Sequence, residues 1–212
     1  MEKKLIQDAK KENFSDGYLE WLFRKELESQ KIIAIACSAG GPKALATILS
    51  KIPQDFKYPI IVAQHMALGS AEEFVNWLKT KSTIPVEVVQ KIKALEKGKA
   101  YICPPENDWE IKPGQKRFAI PIKSSQLYNP SCDVLLSSVA QSYGEKAIGI
   151  ILNGMGKDGV KGMMAIQNNG GVTIAQDETT SVVFEMNKAA ITNGAIDKVL
   201  PLDQIASEIV SI

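Results

Sequence analysis

The stretch Ile32-Ile33-Ala34-Ile35-Ala36 decides the fold of this chain. It is a continuous apolar run of strand length, and it leads into the small and polar turn Cys37-Ser38-Ala39-Gly40-Gly41. A helix is predicted next, over residues 42–52, because Pro42 stands in its first turn, where the missing N–H of proline does no harm. A strand without polar alternation is typical of a sheet that is buried on both faces. The stretch therefore predicts an α/β fold.

Similar apolar strands recur farther along the chain. They are predicted over residues 59–63, 147–152 and 171–175, with helices over residues 71–80 and 133–143. Another helix is predicted to run to about residue 168. Buried strands joined through helices favour a doubly wound, mostly parallel sheet with helices on both faces.

The middle of the chain has a different pattern. Strands are predicted over residues 86–89, 99–102 and 117–122, and prolines mark turns between them, at Pro104-Pro105 and Pro113-Gly114. We therefore expect an antiparallel hairpin extension of the sheet in this section.

The first 30 residues are highly charged and differ from the rest. Ser15 is placed to cap a short helix whose apolar face is Leu19, Leu22 and Phe23, an i, i+3, i+4 set. We expect this helix to dock on the main domain or on a partner. The predicted division is a charged segment over residues 1–30 and a single main domain over residues 31–212.

Composition limits the classes of function. Lys and Arg number 25 against 24 acidic residues, so net charge gives no general attraction to nucleic acid or to an anionic membrane. No apolar run approaches the roughly 18 residues that a spanning helix needs. The N-terminus leads into polar sequence rather than into a signal core. We expect a cytoplasmic protein without nucleic-acid partners and without direct membrane insertion.

The three cysteines, Cys37, Cys103 and Cys132, fit neither a disulfide framework nor a zinc site. Their number is odd, no pair forms a C-x-x-C motif, and each has apolar or small neighbours. We expect free thiols in a reducing compartment, and no metal.

Ser38, His65 and Asp158 each follow the end of a strong apolar strand. The carboxyl ends of parallel strands meet at one edge of a sheet, so these residues are expected to converge. His65 is the only histidine in the chain, and a general base that titrates near neutrality has no other imidazole to use. A lone histidine at a strand end is, however, often structural. Ser38 is either a nucleophile, a helix cap or a phosphate binder, although its turn lacks the glycine spacing of nucleotide-binding loops.

Cys37 is a rival nucleophile beside Ser38. Adjacent side chains of an extended segment point to opposite faces, so Cys37 and Ser38 cannot both address His65. A small buried apolar side chain is the alternative role for Cys37.

The loop Asn153-Gly154-Met155-Gly156-Lys157-Asp158-Gly159 is rich in glycines that allow backbone amides to face a ligand. A carboxylate in this loop is suited to hold a histidine N–H and to stabilise the imidazolium. The alternative is that Asp158 caps the following helix. The residues alone leave both interpretations open.

Together these segments resemble the catalytic domain of the chemotaxis-receptor methylesterase family, the CheB-type protein-glutamate methylesterases. The resemblance is carried, in order, by the serine turn at residues 37–41, Gln64-His65-Met66 and the loop Gly154-Met155-Gly156-Lys157-Asp158-Gly159. Similar segments also lie at residues 101–105, at residues 130–135, and at residues 175–178 with Val182-Val183-Phe184. The likeness runs from about Lys31 to the C-terminus.

The resemblance implies a role for each matching residue. Ser38 is then the nucleophile, His65 its general base, Asp158 the residue that orients His65, and Met155 the backbone N–H donor to the oxyanion. The implied reaction hydrolyses γ-glutamyl methyl esters on a methylated helical region of a chemoreceptor to glutamate and methanol. The same chemistry extends to deamidation of receptor glutamines, and no metal or organic cofactor is implied.

Three departures from the family pattern stand near the expected cleft. Ala39 replaces the usual threonine, Asp108 stands where many members have histidine, and Glu185-Met186-Asn187 replaces Gly-Met-Pro. Asp108 is expected to alter substrate contacts, and Glu185 to change the charge beside the cleft. These departures leave a non-catalytic signalling or binding module as an alternative function.

Regulation is the other point of departure. Members of the family commonly carry an N-terminal receiver domain, and residues 1–30 are too short to form one. We therefore expect a stand-alone esterase, a trimmed piece of a longer protein, or a protein controlled by a separate regulatory partner. A nucleotide-binding α/β protein remains as a further reading, supported only by glycines at strand ends.

Overall fold

The computed structural model describes residues 30–90, 93–111, 118–123 and 129–212. Within these ranges the strands are β1 (Ile32–Cys37), β2 (Ile60–Gln64), β3 (Val86–Val88), β4 (Lys93–Ala94), β5 (Ala100–Ile102), β6 (Asp108–Ile111), β7 (Phe118–Ile122), β8 (Ala147–Ile151), β9 (Val172–Gln176) and β10 (Lys198–Leu200). The helices are α1 (Gly41–Leu49), α2 (Ala71–Lys79), α3 (Cys132–Tyr143), α4 (Val160–Asn168), α5 (Glu185–Thr192) and α6 (Leu202–Ser211). The helix predicted around Leu19 lies outside the described residues.

Seven strands form one parallel sheet in the order β10-β9-β8-β1-β2-β5-β3. The first described strand, β1, lies in the middle of the sheet. The chain continues outward through β2 and later returns to the other side of β1 through β8. The loops after β1, β2 and β8 therefore lie side by side at the carboxyl edge. Ligands of doubly wound sheets bind at this kind of reversal.

Both faces of the sheet are covered, which confirms the predicted fold class. Along β1, alternate side chains enter two different hydrophobic clusters, so that Ile33 and Ile35 face one way and Ala34 and Ala36 the other. Helices α3, α4 and α5 pack in the cluster of Ala34, and helices α1, α2 and α6 pack in the cluster of Ile35. Burial on both faces explains why β1 is apolar throughout.

The predicted antiparallel part of the fold is present, but only one of its strands, β7, is among the strands predicted for this section. Strands β4, β7 and β6 form a separate antiparallel sheet in that order. Strands β3 and β5, which were predicted in the same section, instead extend the main sheet in parallel beside β2. All three residues of β5 are buried, because its side chains enter the hydrophobic clusters on the two faces of the sheet. Among the described residues, no helix combines the length and the apolarity that crossing a bilayer requires.

Candidate active site

The carboxyl ends of β1, β2 and β8 bring the three predicted site residues to one edge of the sheet. Ser38 follows β1, His65 follows β2, and Asp158 lies in the loop between β8 and α4. The Ser38 N–H donates to the Asn153 carbonyl at 2.8 Å, and the His65 N–H donates to the Cys37 carbonyl at 3.0 Å. Backbone hydrogen bonds therefore join the three loops directly, as the predicted convergence requires.

His65 and Asp158 form a close pair. Nε2 of His65 lies 2.7 Å from Oδ2 of Asp158, and the two side chains are about nine-tenths buried. The Asp158 carboxylate also accepts the backbone N–H of Cys132 at 2.7 Å and that of Asp133 at 2.9 Å. These two amides belong to the first turn of α3, where backbone donors have no partner within the helix. The helix therefore holds the carboxylate in place for the imidazole.

The surroundings of Asp158 keep its carboxylate ionised. Burial is the largest influence on the pKa of Asp158 and by itself would raise it. The hydrogen bond from His65 and the amides of Asp133 and Cys132 outweigh burial, so the pKa lies below its ordinary value. An ionised carboxylate at this position fixes the imidazole orientation and stabilises an imidazolium.

Asp133 makes the reciprocal contact with the loop of Asp158. Its Oδ1 accepts the N–H groups of Gly159 and Gly162, both at 2.9 Å, at the start of α4. Asp158 thus caps α3, and Asp133, from the first turn of α3, caps α4. The alternative role considered for Asp158, a cap on its own following helix, belongs in this structure to Asp133.

Gln64 connects the turns of Ser38 and His65. Its Nε2 donates to the Ser38 carbonyl at 3.0 Å and to the His65 carbonyl at 2.8 Å, and the side chain is buried. Gln64 belongs to the Gln64-His65-Met66 motif, but no role was predicted for it from the sequence.

The backbone of Gly154 passes directly beside Ser38. A Cβ on Gly154 would lie 2.9 Å from the Ser38 Cβ and would overlap the Met186 side chain, so only glycine fits. The next residue, Met155, is exposed. In the described part of the chain, its backbone N–H donates to no protein acceptor. The Met155 amide is therefore available to a ligand at the serine edge of the site.

Cys37 differs from Ser38 in its surroundings. Its thiol is fully buried in the cluster of Ile33 and Ile35, and burial raises its pKa strongly. Ser38 is only partly buried at the strand end. A thiol that is buried and protonated is a poor nucleophile, so the contacts favour Ser38 over Cys37 as the group that a substrate can reach.

One group of possible metal donors occurs among the described residues. The side-chain donors of His65, Cys132 and Asp158 lie within 4.8 Å of one another. Cys132 Sγ lies 3.5 Å from His65 Nε2 and 3.5 Å from the Ala63 carbonyl, in a fully buried position. Burial, followed by the charge of Asp158, raises the pKa of Cys132, which disfavours the thiolate that an ion would require.

The three departures from the family pattern occupy different settings. Ala39 and Glu185 are exposed at the carboxyl edge. Asp108 is buried, and its Oδ1 accepts the backbone N–H of Ser131, the N-cap residue of α3, at 2.7 Å. Asp108 was expected to alter substrate contacts, whereas its carboxylate faces inward and supports the helix that holds Asp158.

A family model described as CheB methylesterase matches residues 33–209. The chain belongs to the CheB methylesterase family. It is 44% identical over 183 residues to "Protein-glutamate methylesterase/protein-glutamine glutaminase 3" of Paramagnetospirillum magneticum, a match that covers 85% of this chain and 51% of that protein. It is 39% identical to "Protein-glutamate methylesterase FrzG" of Myxococcus xanthus, with 83% of this chain and 53% of that protein covered. The chain thus spans about half the length of the curated relatives it matches.

A solved structure of the CheB family has the same fold as this chain. The crystal structure of the Thermotoga maritima CheB methylesterase catalytic domain superposes with a TM-score of 0.83 at 34% sequence identity. The match covers 86% of this chain and 98% of that one. Both the resemblance inferred from the sequence motifs and the predicted fold are therefore confirmed.

Proposed function

We propose that this CheB-family chain is a serine hydrolase that removes methyl groups from γ-glutamyl methyl esters of chemoreceptors. The observation that carries the proposal is the 2.7 Å hydrogen bond between His65 and the α3-capping Asp158 carboxylate, at the sheet edge where Ser38 also lies. Relatives named protein-glutamate methylesterases support the same chemistry. The second part of the first relative's name, protein-glutamine glutaminase, supports deamidation as an additional activity.

In the proposed mechanism, Ser38 Oγ attacks the ester carbonyl while His65 takes its proton. Since Nε2 of His65 faces Asp158, the proton goes to the other ring nitrogen, Nδ1. The developing oxyanion accepts the backbone N–H of Met155, and Asp158 stabilises the imidazolium. His65 then returns the proton to the leaving methoxide, which departs as methanol. Catalytic hydrogen bonds often tighten only when substrate binds, so Ser38 and His65 are expected to draw together in the complex.

Water completes the cycle by attacking the acyl-enzyme with His65 again as base, which releases glutamate and restores Ser38. A receptor glutamine would follow the same path with ammonia as the leaving group. The proposed partner is the methylated helical region of a chemoreceptor, met in the cytoplasm. A separate regulatory protein is the proposed source of any control. None of these steps calls for a metal or an organic cofactor.

The test is methanol release from a methylated receptor fragment. Ser38→Ala is expected to lower turnover by several orders of magnitude with an unchanged circular dichroism spectrum, because the nucleophile is lost. Cys37→Ala is the matched control, since it alters the neighbouring buried side chain, and it is expected to keep turnover within a few-fold. Full activity of Ser38→Ala would overturn the proposal.

The alternative function is a signalling or binding module that keeps the fold without catalysis. Ala39 and Glu185, the exposed departures from the family pattern, are its motivation. The two functions separate in a labelling experiment with a fluorophosphonate. Stoichiometric labelling of Ser38, lost in His65→Ala, supports the hydrolase, whereas an unreactive Ser38 supports the binding module.

A further inference from the structure

The most exposed large apolar side chains of the described residues all lie at the carboxyl edge. Val182 is 74% exposed, Leu68 is 71% exposed and Met155 is 64% exposed. The other exposed large apolar side chains, elsewhere on the described surface, are only 38–47% exposed: Trp77, Met164, Val199 and Val210. Single exposed apolar side chains are common on protein surfaces, whereas several of them grouped at one edge are typical of a surface that a partner covers.

All three side chains lie in loops that follow strands at the edge of the predicted nucleophile, and two of them, Met155 and Val182, lie close to its turn. Leu68 follows β2, Met155 follows β8, and Val182 follows β9. A Cβ on Gly40, two residues after Ser38, would lie 3.2 Å from the Val182 Cβ. Met155 follows Gly154, whose backbone passes directly beside Ser38.

Backbone hydrogen bonds hold the loops of Val182 and Leu68, so the exposure of these side chains does not result from loosely held loops. The Val182 N–H donates to Asn153 Oδ1 at 2.6 Å, and the Asn153 carbonyl in turn accepts from Ser38. Beside Leu68, the Gly69 N–H donates to Glu106 Oε1 at 2.8 Å. The fold therefore holds apolar groups outward at fixed positions.

We propose that Leu68, Met155 and Val182 form an apolar rim that binds apolar side chains of the substrate protein on either side of the esterified glutamate. This inference rests on the proposed function and adds to it a determinant of specificity. A glutamate side chain places its ester carbon at most about 4 Å from its own Cα, so the substrate backbone must come close to Ser38. In a helix, neighbouring turns lie about 5.4 Å to each side, which brings their side chains against the rim.

The proposed rim predicts that substitutions in it weaken the reaction with a protein substrate but not the reaction with a small ester. The small ester is N-acetylglutamate γ-methyl ester, which has no neighbouring residues. Val182→Ser and Leu68→Ser are expected to raise KM for a methylated receptor fragment about tenfold, while kcat/KM for the small ester changes less than twofold. Val210→Ser, on the exposed face of α6, is the matched control and should change neither value.

Two outcomes of these assays would overturn the rim. In the first, both rim variants keep the wild-type KM for the receptor fragment. In the second, they lose activity equally on the small ester, which would make the side chains supports of the catalytic turn. A wild-type dimer that Val182→Ser dissociates in sedimentation velocity would also overturn it, because a second copy would then be what covers the rim.

Binding is measured separately, so that a failure of the proposed function can be distinguished. A fluorescently labelled, methylated receptor fragment is titrated with Ser38→Ala protein and followed by anisotropy. The Ser38→Ala protein is compared with double variants that also carry Val182→Ser or Leu68→Ser. Binding about tenfold weaker in the double variants supports the rim even if the wild type releases no methanol. Unchanged affinity in both double variants overturns the rim, whatever the turnover of the wild type.

Discussion

At the scale of single residues, Gln64 shows how this site depends on side chains that do no chemistry. Its amide joins the carbonyl oxygens of Ser38 and His65, which belong to turns after different strands. A buried amide that bonds both turns fixes their separation more tightly than the parallel strands alone. Gln64 is therefore a positioning residue rather than a catalytic one.

Gln64→Met tests this role with a side chain of similar size. The loss of two hydrogen bonds, each of about 1 kcal/mol, is expected to lower kcat by about tenfold and to leave KM for the receptor fragment nearly unchanged. Steady-state methanol release measures both constants. Gln204→Met, on the exposed face of α6, is the control. A rise in KM at constant kcat would contradict the positioning role.

Asp158 is expected to make stability depend on acid pH. Its pKa is lower in the folded protein than in the unfolded chain, so its contribution is complete above the unfolded value of about 3.9 and is lost as pH falls through the folded value. Asp158→Asn is expected to be less stable than the wild type at pH 6, and the difference should shrink below about pH 4.

Urea unfolding at a series of pH values measures this difference. Asp203→Asn, exposed on α6, serves as the control and should run parallel to the wild type. A stability difference between the wild type and Asp158→Asn that stays constant from pH 6 to pH 3 would contradict the pKa direction.

At the scale of elements, α3 and α4 are linked by an exchange of caps. The Asp133 carboxylate binds the start of α4, while the amides of Cys132 and Asp133 bind Asp158 in the loop before α4. The two helices therefore position each other's first turns, and with them the carboxylate that faces His65.

Asp133→Ala removes the acceptor for the Gly159 and Gly162 amides. We expect a loss of about 1–2 kcal/mol in unfolding free energy, together with a lower kcat, because the loop of Asp158 loses its support. Asp133→Asn keeps an acceptor oxygen and is expected to recover much of both losses. Burial raises the pKa of Asp133, so the neutral amide suits this position. Equal losses in the two variants would show that the negative charge of Asp133, rather than its hydrogen bonds to the start of α4, supports stability and kcat.

Several elements could be predicted from sequence because their signals are local. The parallel sheet was predicted from the buried apolar runs of β1, β2 and β8. The convergence of Ser38, His65 and Asp158 was predicted from the direction of these strands alone. Strand β6 was missed, because its polar and apolar residues alternate over only four positions, too few for a clear strand signal, and pairing with β7 completes it. Helices α5 and α6 were not predicted either.

The donors to Asp158 could not be predicted, since they depend on contacts between distant segments. His65 and Asp158 are 93 positions apart in the chain, and the α3 amides that hold Asp158 have no side-chain signature. Adjacent strand ends indicate which loops meet, but the rotation of a helix against them decides which amides face the carboxylate.

At the scale of the whole molecule, the three cysteines are distributed over both faces of the sheet. Cys37 lies in the cluster of Ile35, whereas Cys103 and Cys132 lie in the cluster of Ala34, and all three are fully buried. Burial raises the pKa of each of them. No other cysteine occurs in the chain.

The thiols are therefore expected to react with dithiobis(nitrobenzoate) only when the domain opens. In native buffer at pH 8, three equivalents should appear in one slow phase, at least about a thousandfold slower than in urea-unfolded protein. A single phase is expected because both faces share the same central strands, so neither cluster can open while the sheet remains intact. A fast phase of one equivalent would contradict this. If Cys132→Ala abolished that phase, the opening would be local to the site of His65 and Asp158. If Cys37→Ala abolished it, the thiol beside Ser38 would again be a candidate nucleophile.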